Sequence, residues 1–238
     1  MNALEALRAG VLKLLPERAA FAPAAKTLFV ADLHLGKAAT FRAFGAPAPT
    51  GVSEETLRRL AELIDTIRPE HVVALGDFTH APAAMTQGLL KSLCAWRTRW
   101  SSLAFTIVLG NHDRGAEPFY SECGFYSVKA PAGLGGIECR HHPIDDADGA
   151  GPLVLAGHLH PVVRLNGPGR DSLRTPCFVV RERQIVLPAF GDFVGGSLAV
   201  PSEGARLLIA TGRGVFDVTP GAGGAARGAP TSRSEKTS

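Results

Sequence analysis

Short apolar runs alternate with longer amphipathic segments through the first half of the chain. The runs Thr27–Ala31, Val72–Leu75 and Thr106–Leu109 are rich in apolar and β-branched residues, so each predicts a buried strand. The two longer segments between them have the residue spacing of amphipathic helices. The resulting order of strand, helix, strand, helix and strand is typical of an α/β fold with a largely parallel sheet.

Both amphipathic segments carry recognisable helix signals. Ser53 is a candidate N-cap for the first helix, glutamates follow it in the first turn, and Pro69 ends the segment. The second helix is predicted over about Met85–Trp100. The apolar side chains expected on the core-facing sides are Leu57, Leu60, Ile64 and Ile67 in the first helix and Leu89, Leu90, Leu93 and Trp96 in the second.

The second half of the chain is rich in strand-like runs with few helical segments between them. This pattern predicts a second β-sheet packed against the first. The predicted strands are Phe125–Val128, Ile137–Arg140, Leu153–Ala156, Phe178–Val180, Ile185–Leu187, Leu207–Ala210 and Val215–Val218.

Two stretches allow more than one interpretation. Residues 1–25 fit either a hairpin of Gly10–Leu15 with Ala19–Pro23 or a short helix over Leu4–Leu15. Residues 35–51 contain several glycines and prolines and predict a long loop, with one helical turn over Ala38–Phe44 as an option. Loops of this length inside a compact domain are usually functional.

Size and composition indicate one domain without a membrane segment. With 238 residues, 45% of them hydrophobic, we expect a single domain over residues 1–220 and a disordered tail rich in Gly, Ser, Thr and charge over residues 221–238. The net charge of +3 neither indicates nor excludes a nucleic-acid partner. Since no apolar run is long enough to cross a membrane and no signal-peptide pattern opens the chain, we predict a cytoplasmic protein that does not bind membranes.

The four cysteines are widely spaced and form no CxxC motif. This spacing predicts reduced cysteines that serve as packing residues, and it lacks the pattern of a cysteine zinc site. The four are Cys94, Cys123, Cys139 and Cys177.

Side chains that can bind metals directly follow several predicted strands. In open α/β sheets, ligands bind outside the carboxyl ends of strands. Each motif alone is also compatible with a turn or a helix cap, but their co-occurrence at four or more strand ends favours a metal site. The candidates are Asp32, His34, Asp77, Asn111, His112, either His141 or His142, His158 and His160.

The types of these side chains indicate the metal and the reaction. Carboxylate, imidazole and amide donors together suit Mn, Fe or Zn better than Ca. Seven ligands are too many for one tetrahedral zinc and match two metals that share a carboxylate. Two adjacent divalent metals suit in-line displacement at phosphorus, where they help to generate hydroxide and stabilise the charge on the oxygens. No GxSxG, P-loop or GxGxxG motif stands at a position that would favour other chemistry.

His112 is expected to have a role separate from the ligands. It directly follows Asn111, so the two side chains cannot easily bind the same metal. We expect His112 to contact a substrate phosphate or to protonate the leaving oxygen. The next residue, Asp113, either orients His112 or caps the following segment, and the cap is the favoured interpretation.

The motifs ADLH, GD, GNHD, HHP and GHLH follow one another between Leu28 and Pro161. In this order and combination they resemble the calcineurin-like metallophosphoesterases. The resemblance implies a double β-sandwich flanked by helices, with two metals at one end. It also implies Asp32, His34 and His160 as ligands of the first metal, Asp77 as the bridge, Asn111, His141 and His158 as ligands of the second metal, and His112, with Asp77 and Asn111, as catalytic residues.

Two positions depart from or complicate the family pattern. His141 and His142 are adjacent, and His141 is chosen because the family ligand usually ends a strand at this motif. Many family members carry a second acid after the GD motif, where this chain has Gly-Asp-Phe-Thr-His80. His80 is therefore either a substrate or supporting group in place of that acid, or an ordinary loop histidine.

A narrower resemblance extends over nearly the whole chain except the tail. The segments ADLHLGK, FRAFGAPAPTG, LGDFTH, GHLHP, TPCFVV and LPAFGDFVGG are similar to the ligase-associated metallophosphoesterases of the PdeM type. This group implies a bacterial, Mn-dependent DNA endonuclease of DNA repair, linked to DNA ligase and helicase. One type of metal site can serve many phosphodiesters. The resemblance is therefore stronger evidence for the metal site than for the DNA substrate.

Three functions are therefore weighed. The first is a DNA phosphodiesterase acting on single-stranded or damaged DNA, the second a phosphodiesterase or phosphatase for cyclic nucleotides or other small molecules, and the third a binding module with a degenerate site. Basic residues near the motifs could contact DNA phosphates, and phenylalanines could stack on bases or pack the loop. These residues are Lys37, Arg42, Arg114 and Arg164, and Phe41, Phe44 and Phe78.

Overall fold

Two β-sheets pack face to face in the computed structural model, which describes residues 1–81, 84–134, 136–145, 151–167, 171–200 and 203–220. The predicted tail over residues 221–238 lies outside the described residues, and the domain boundary at residue 220 stays a prediction. In the first sheet the strands follow one another in chain order, which is β1 (Lys13–Leu15), β2 (Ala19–Ala22), β3 (Thr27–Val30), β4 (His71–Leu75), β5 (Ala104–Val108) and β6 (Tyr126–Val128).

The second sheet is built from the second half of the chain, as predicted. Its main path runs β13-β10-β11-β12-β9-β8-β7, and β14 pairs with both β11 and β15. The strands are β7 (Ala132–Leu134), β8 (Ile137–Cys139), β9 (Val154–Ala156), β10 (Pro161–Asn166), β11 (Ser172–Val180), β12 (Gln184–Val186), β13 (Ser197–Leu198), β14 (Arg206–Ala210) and β15 (Val215–Asp217).

The pattern of the first half explains the first sheet. Strands β3, β4, β5 and β6 are parallel, so their carboxyl ends lie at one edge. In β4, Val72 and Ala74 face the helices while Val73 and Leu75 face the second sheet. Because both faces are covered, the strand reads as a continuous apolar run.

The helices pack mainly on the outer face of the first sheet. Core residues of α3, α4 and α5 join that sheet in one hydrophobic cluster. No helix in the described ranges is both long and apolar enough to span a bilayer. The helices are α1 (Ala3–Arg8), α2 (Lys37–Ala43), α3 (Val52–Ile67), α4 (Gln87–Thr98) and α5 (Glu117–Glu122).

Ser53 does not cap α3, contrary to the sequence prediction. The helix starts at Val52, one residue before Ser53, and Gly51 in a left-handed conformation occupies the cap position. The Ser53 hydroxyl instead accepts a hydrogen bond of 2.9 Å from the Gly36 amide, and so anchors the loop that leaves β3. The cap of α4 is provided by Thr86, whose hydroxyl accepts from the Leu89 amide.

Several short helices and strands of the structure differ from the sequence prediction or were not predicted. At the N-terminus, both alternatives were partly right, because α1 precedes a hairpin of β1 and β2. The helix α5 and the strands β7, β10 and β13 were not predicted. They are short or interrupted by Gly, Pro or charged residues, so only their pairing with neighbouring strands defines them.

The prediction of four reduced cysteines was wrong for two of them. Cys94 in α4 and Cys123 after α5 form a disulfide across 29 residues of sequence. Only the packing of α5 beside α4 brings the two thiols together, and linear spacing carries no signal of it. Cys139 and Cys177 are buried free thiols whose pKa burial raises to about 12, as expected for packing residues.

Phe78 is a core residue, which rules out the base-stacking role considered for it. Its ring is fully buried and lies edge-on or tilted against Phe105, Tyr120 and Phe125. Phe44, by contrast, is 79% exposed. The cluster around Phe78 supports the loop that follows β4.

Asp113 joins the loop after β4 to the loop after β5. Its buried carboxylate accepts hydrogen bonds from the amides of Gly110 at 2.9 Å and Thr79 at 3.1 Å, and from the Tyr120 hydroxyl. The favoured prediction of a helix cap was wrong, since Ala116 occupies the cap position of α5. Burial raises the pKa of Asp113 although these donors oppose the shift.

Replacing Phe78 by alanine should lower the free energy of unfolding by about 3 to 5 kcal/mol, because a fully buried ring is lost. Phe44→Ala should change it by less than about 0.5 kcal/mol. Urea denaturation of both variants provides the measurement. Equal effects would contradict the assignment of Phe78 to the core.

Replacing Asp113 by asparagine should lower the free energy of unfolding by about 2 kcal/mol, because hydrogen bonds to a buried charged acceptor are lost. The matched control is Asp65→Asn, which breaks an exposed ion pair with Arg99 and should cost about 0.5 kcal/mol or less. Chemical denaturation compares the two. A loss for Asp113→Asn no larger than the control would show that the two loops hold together without this carboxylate.

Candidate metal centre

All the predicted metal ligands converge at one end of the sandwich. Three strands of the first sheet and two of the second end there, and each is followed by a polar segment. Backbone hydrogen bonds tie these segments together, for example from the His34 amide to the Asp77 carbonyl at 2.9 Å and from the Gly157 amide to the His141 carbonyl at 3.0 Å. The residues follow β3 (Asp32, His34), β4 (Asp77), β5 (Asn111), β8 (His141) and β9 (His158, His160).

A first set of donors surrounds Asp32. Its Oδ1 lies 3.5 Å from His160 Nε2, and His160 Nε2 lies 3.3 Å from His34 Nε2. The same nitrogen of His34 is 3.7 Å from Asp77 Oδ2. Four potential ligand atoms therefore face one small volume.

A second set of donors surrounds His141. Its Nε2 lies 2.9 Å from Asn111 Oδ1 and 3.1 Å from His158 Nδ1. Asp77 Oδ1 lies 3.4 Å from the same nitrogen. The two oxygens of Asp77 thus face different donor sets, which is the arrangement expected of a bridging carboxylate.

His141 lies at the centre of the second donor set, and its neighbour His142 lies at the edge, within reach of His141 and His158. The side chain of His141 is buried, and its Nδ1 donates to the Leu75 carbonyl at 3.1 Å. A neutral imidazole that donates through Nδ1 carries its lone pair on Nε2, which is the atom that faces Asp77 and Asn111. His142 is exposed and packs its ring against His158 at 4.2 Å between centroids.

The donor set fits divalent cations. Within the described part of the chain, the buried Asp32 Oδ1 accepts no hydrogen bond, which is rare for a buried carboxylate. Burial lowers the pKa of His34 to about 2, so its imidazole is neutral, the form that binds a metal. Burial raises the pKa of Asp77, but the neighbouring His141 imidazole and a hydrogen bond from the His112 amide lower it to about 2. Two carboxylates together with imidazoles and an amide suit Mn, Fe or Zn.

Backbone strain is concentrated in these residues. Asp32, His34, Asp77, His158 and His160 all have positive φ, between 44° and 72°. Such conformations are uncommon outside glycine and cost of the order of 1 to 3 kcal/mol each. The strain turns the side chains after β3, β4 and β9 toward the cluster.

Two glycines of the motifs are required by close approach. A Cβ on Gly76 would lie 2.2 Å from His141 Nδ1, and one on Gly110 would lie 2.3 Å from Asp77 Oδ1. Any larger residue would push the ligands apart. The glycine in GD and the glycine in GNHD therefore serve the packing of the side chains around Asp77.

His112 and His80 lie over the first donor set. The His112 side chain is 37% exposed, and its Nε2 lies 4.0 Å from Asp77 Oδ2. Its backbone amide donates to Asp77 Oδ1 at 2.9 Å. The His80 ring stacks on His112 at 5.0 Å between centroids and 19°, and its Nδ1 lies 3.4 Å from that of His34. Since His80 packs within the cluster, it is not an ordinary loop histidine.

The other residues considered for substrate contact differ in position. Lys37 donates to the Val194 carbonyl at 2.9 Å, and burial lowers its pKa. Arg42 folds back onto the carbonyls of its own loop. Arg114 and Arg164 are exposed. Phe41 is 39% exposed and contacts the rings of His80 and Phe193.

Sequence reasoning missed two arginines near the cluster. Arg18 and Arg174 line a cleft that opens beside His160. Both are far from the ligand motifs in sequence, and the pairing of strands that brings them close has no signature in a linear pattern.

Comparison with known proteins relates this site to a family. The family model for calcineurin-like phosphoesterase matches residues 25–174. The crystal structure of Pseudomonas putida nuclease MPE is 37% identical in sequence, covers 87% of this chain and 94% of its own, and superposes with a TM-score of 0.73. A phosphoesterase from E. coli, Yfce, is 15% identical over 77% of this chain and 86% of its own, with a TM-score of 0.37, too low to support any inference. Curated protein sequences gave no significant match.

The family match spans the motifs from Asp32 to His160, and the fold is the double sandwich that the resemblance implied. The chain belongs to the calcineurin-like phosphoesterase family.

Proposed function

We propose that this protein is a dinuclear, Mn-dependent phosphodiesterase that cleaves DNA internally, with single-stranded or damaged DNA as its substrate. The observation that carries the proposal is the position of Asp77, whose oxygens lie 3.7 Å from His34 and 3.4 Å from His141, one toward each donor set. The similar Pseudomonas putida chain, described as a nuclease, supports a nucleic-acid substrate. A link to DNA ligase and helicase and a role in DNA repair stay predictions of the resemblance.

The charge of the site suits a phosphodiester. Asp32 and Asp77 are the carboxylates of the donor sets, and the remaining donors are imidazoles, which bind metals in their neutral form, and an amide. Two divalent cations held there would leave a net positive charge, which attracts a phosphate group. When bound, such cations supply Lewis acidity that activates water and neutralises charge on the phosphoryl oxygens.

The residues of the chain orient the substrate and the proton. In hydrolysis, an oxygen from water bonds to phosphorus, the ester bond on the opposite side breaks, and the leaving oxygen takes up a proton. His112 is the partly exposed imidazole whose Nε2 faces the donor sets, so we assign it the contact with the phosphate or leaving oxygen. The stacked ring of His80 holds His112 in this orientation.

Circular single-stranded DNA tests the proposed activity because it has no ends. The metal-stripped protein, reloaded with Mn, should convert circles to linear strands, and Asp77→Asn should abolish the reaction. A bis-aryl phosphodiester run in parallel reports the chemistry without DNA. Linearised circles that persist in Asp77→Asn would indicate a contaminating nuclease and contradict the bridging role.

Hydrolysis of the aryl diester with intact circles would assign the site to small molecules or nucleic-acid ends instead. Calorimetric titration with Mn separates binding from turnover. The wild-type protein should bind two Mn ions, and a variant without the Asp77 carboxylate should bind fewer or bind them more weakly.

His112→Ala should reduce kcat about 100- to 1,000-fold, because a group that donates a proton in the transition state is lost. The number of bound Mn ions should not change, since His112 is not assigned to either donor set. His71→Ala, which removes an imidazole at the amino end of β4, away from the donor sets, is the matched control and should keep both turnover and Mn binding. Loss of Mn in His112→Ala would make this residue a ligand.

A further inference from the structure

A cleft leads away from the donor sets beside His160. It has a volume of about 280 Å³ and is lined by Arg18, Val162, Arg174 and Pro176, among others. A second, larger cleft of about 580 Å³ shares Arg18, Arg174 and Pro176 with it, so the two adjoin at these residues and are together called the groove. The groove lies between the turn that joins β1 to β2 and the hairpin of β10 and β11.

The hairpin carries two arginines on the face that lines the groove. Arg164 of β10 is the direct partner of Arg174 of β11, and Val162 is the partner of Pro176. Since side chains two residues apart on a strand share a face, both arginines lie on the same face as Val162 and Pro176. Like charges directly opposite each other destabilise a sheet unless an anion compensates them.

The charges of the groove leave an excess of cations. Asp192 accepts ion pairs from both Arg18 and Arg59, and Glu17 also lines the groove. Arg174 donates to the carbonyl of Gly196, which leaves its charge available to a ligand. The cationic residues that line the two clefts are Arg18, Arg59 and Arg174, and Arg164 lies directly across the strand pair from Arg174.

The reach of the groove excludes a compact ligand. Arg164 is four residues beyond His160 along the chain, which corresponds to about 13 Å in an extended strand. A phosphate held at the donor sets cannot contact Arg164, whereas a neighbouring phosphate of the same strand can. Beyond the arginines, the larger cleft includes Leu173, which is 63% exposed and offers an apolar surface to sugars or bases.

We propose that this groove binds the DNA strand on one side of the scissile bond, with Arg164 and Arg174 holding its phosphates. The proposal rests on the proposed nuclease function and specifies where the rest of the substrate lies. It assigns the two arginines to substrate binding and not to the chemical step. Exposed Leu173 and the groove floor receive the sugars and bases of that strand.

The double variant Arg164→Gln, Arg174→Gln tests the groove with two substrates. For a single-stranded oligonucleotide of thirty or so nucleotides, KM should rise about tenfold with kcat unchanged, and the slope of log kcat/KM against log salt should become shallower by roughly 2. Hydrolysis of a bis-aryl phosphodiester should be unaffected, because that substrate does not reach the arginines. Removing opposed charges should leave the melting temperature unchanged or raise it.

Arg68→Gln is the matched control. Arg68 is an exposed arginine after α3, next to the amino end of β4 and so at the opposite end of the sheet from the donor sets. It should change neither KM nor the salt dependence. An equal effect of Arg68→Gln, an unchanged KM in the double variant, or a parallel loss of aryl diester hydrolysis would overturn the proposed groove.

Fluorescence anisotropy separates this proposal from the proposed function. Labelled oligonucleotide is titrated with the Asp77→Asn protein, with and without the two arginine substitutions. Weaker binding in the substituted protein would support the groove. If the wild type at the same time cleaved no DNA, the nuclease assignment would be overturned while the groove would stand. Unchanged binding together with cleavage by the wild type would overturn the groove and leave the nuclease assignment standing.

Discussion

The position of the Asp77 carboxylate is the constraint on which the site depends. Each of its oxygens faces a different donor set, and each set combines residues that follow strands of both sheets. Keeping it there requires glycine on both sides, because a Cβ at Gly76 or Gly110 would collide with His141 or with Asp77 itself. The strained backbone at five of the ligand residues is stabilised by the packed sandwich beneath them.

The buried Asp113 links the loops around Asp77 to the helices of the fold. Its carboxylate joins the loop after β4 to the loop after β5 and binds the Tyr120 hydroxyl of α5. The helix α5 is in turn joined to α4 by the disulfide between Cys94 and Cys123. The positions of the loops that carry Asp77 and Asn111 are therefore supported by contacts with the helices on the outer face of the first sheet.

The site consists of the two donor sets and the residues that lie around them. The fold is that of the family, and the donor sets, where we propose two metals, would account for cleavage of phosphoesters in general. The groove lined by Arg18 and Arg174, with Arg164 across from Arg174, and the stacked pair of His80 and His112 lie around the donor sets. All phosphodiesters present the same phosphate group to the donor sets. We therefore expect the choice of substrate to depend on the residues that lie around the donor sets.

The sequence by itself determined the strand and helix order of the first half, the second sheet and the set of polar residues that converge at one end of the sandwich. These were readable because buried parallel strands give continuous apolar runs, and because strand ends of a parallel sheet meet at one edge. The tertiary structure alone decided the choice between Ser53 and Gly51 at the start of α3, the burial of Phe78 and the pairing of Cys94 with Cys123.

The structure alone also placed Asp113 under two loops and Arg174 opposite Arg164. Each of these outcomes depends on which residue from a distant part of the chain lies within a few ångströms. The local sequence pattern indicates periodicity and propensity, which depend on a few neighbouring residues. It does not indicate which residues from distant parts of the chain come into contact.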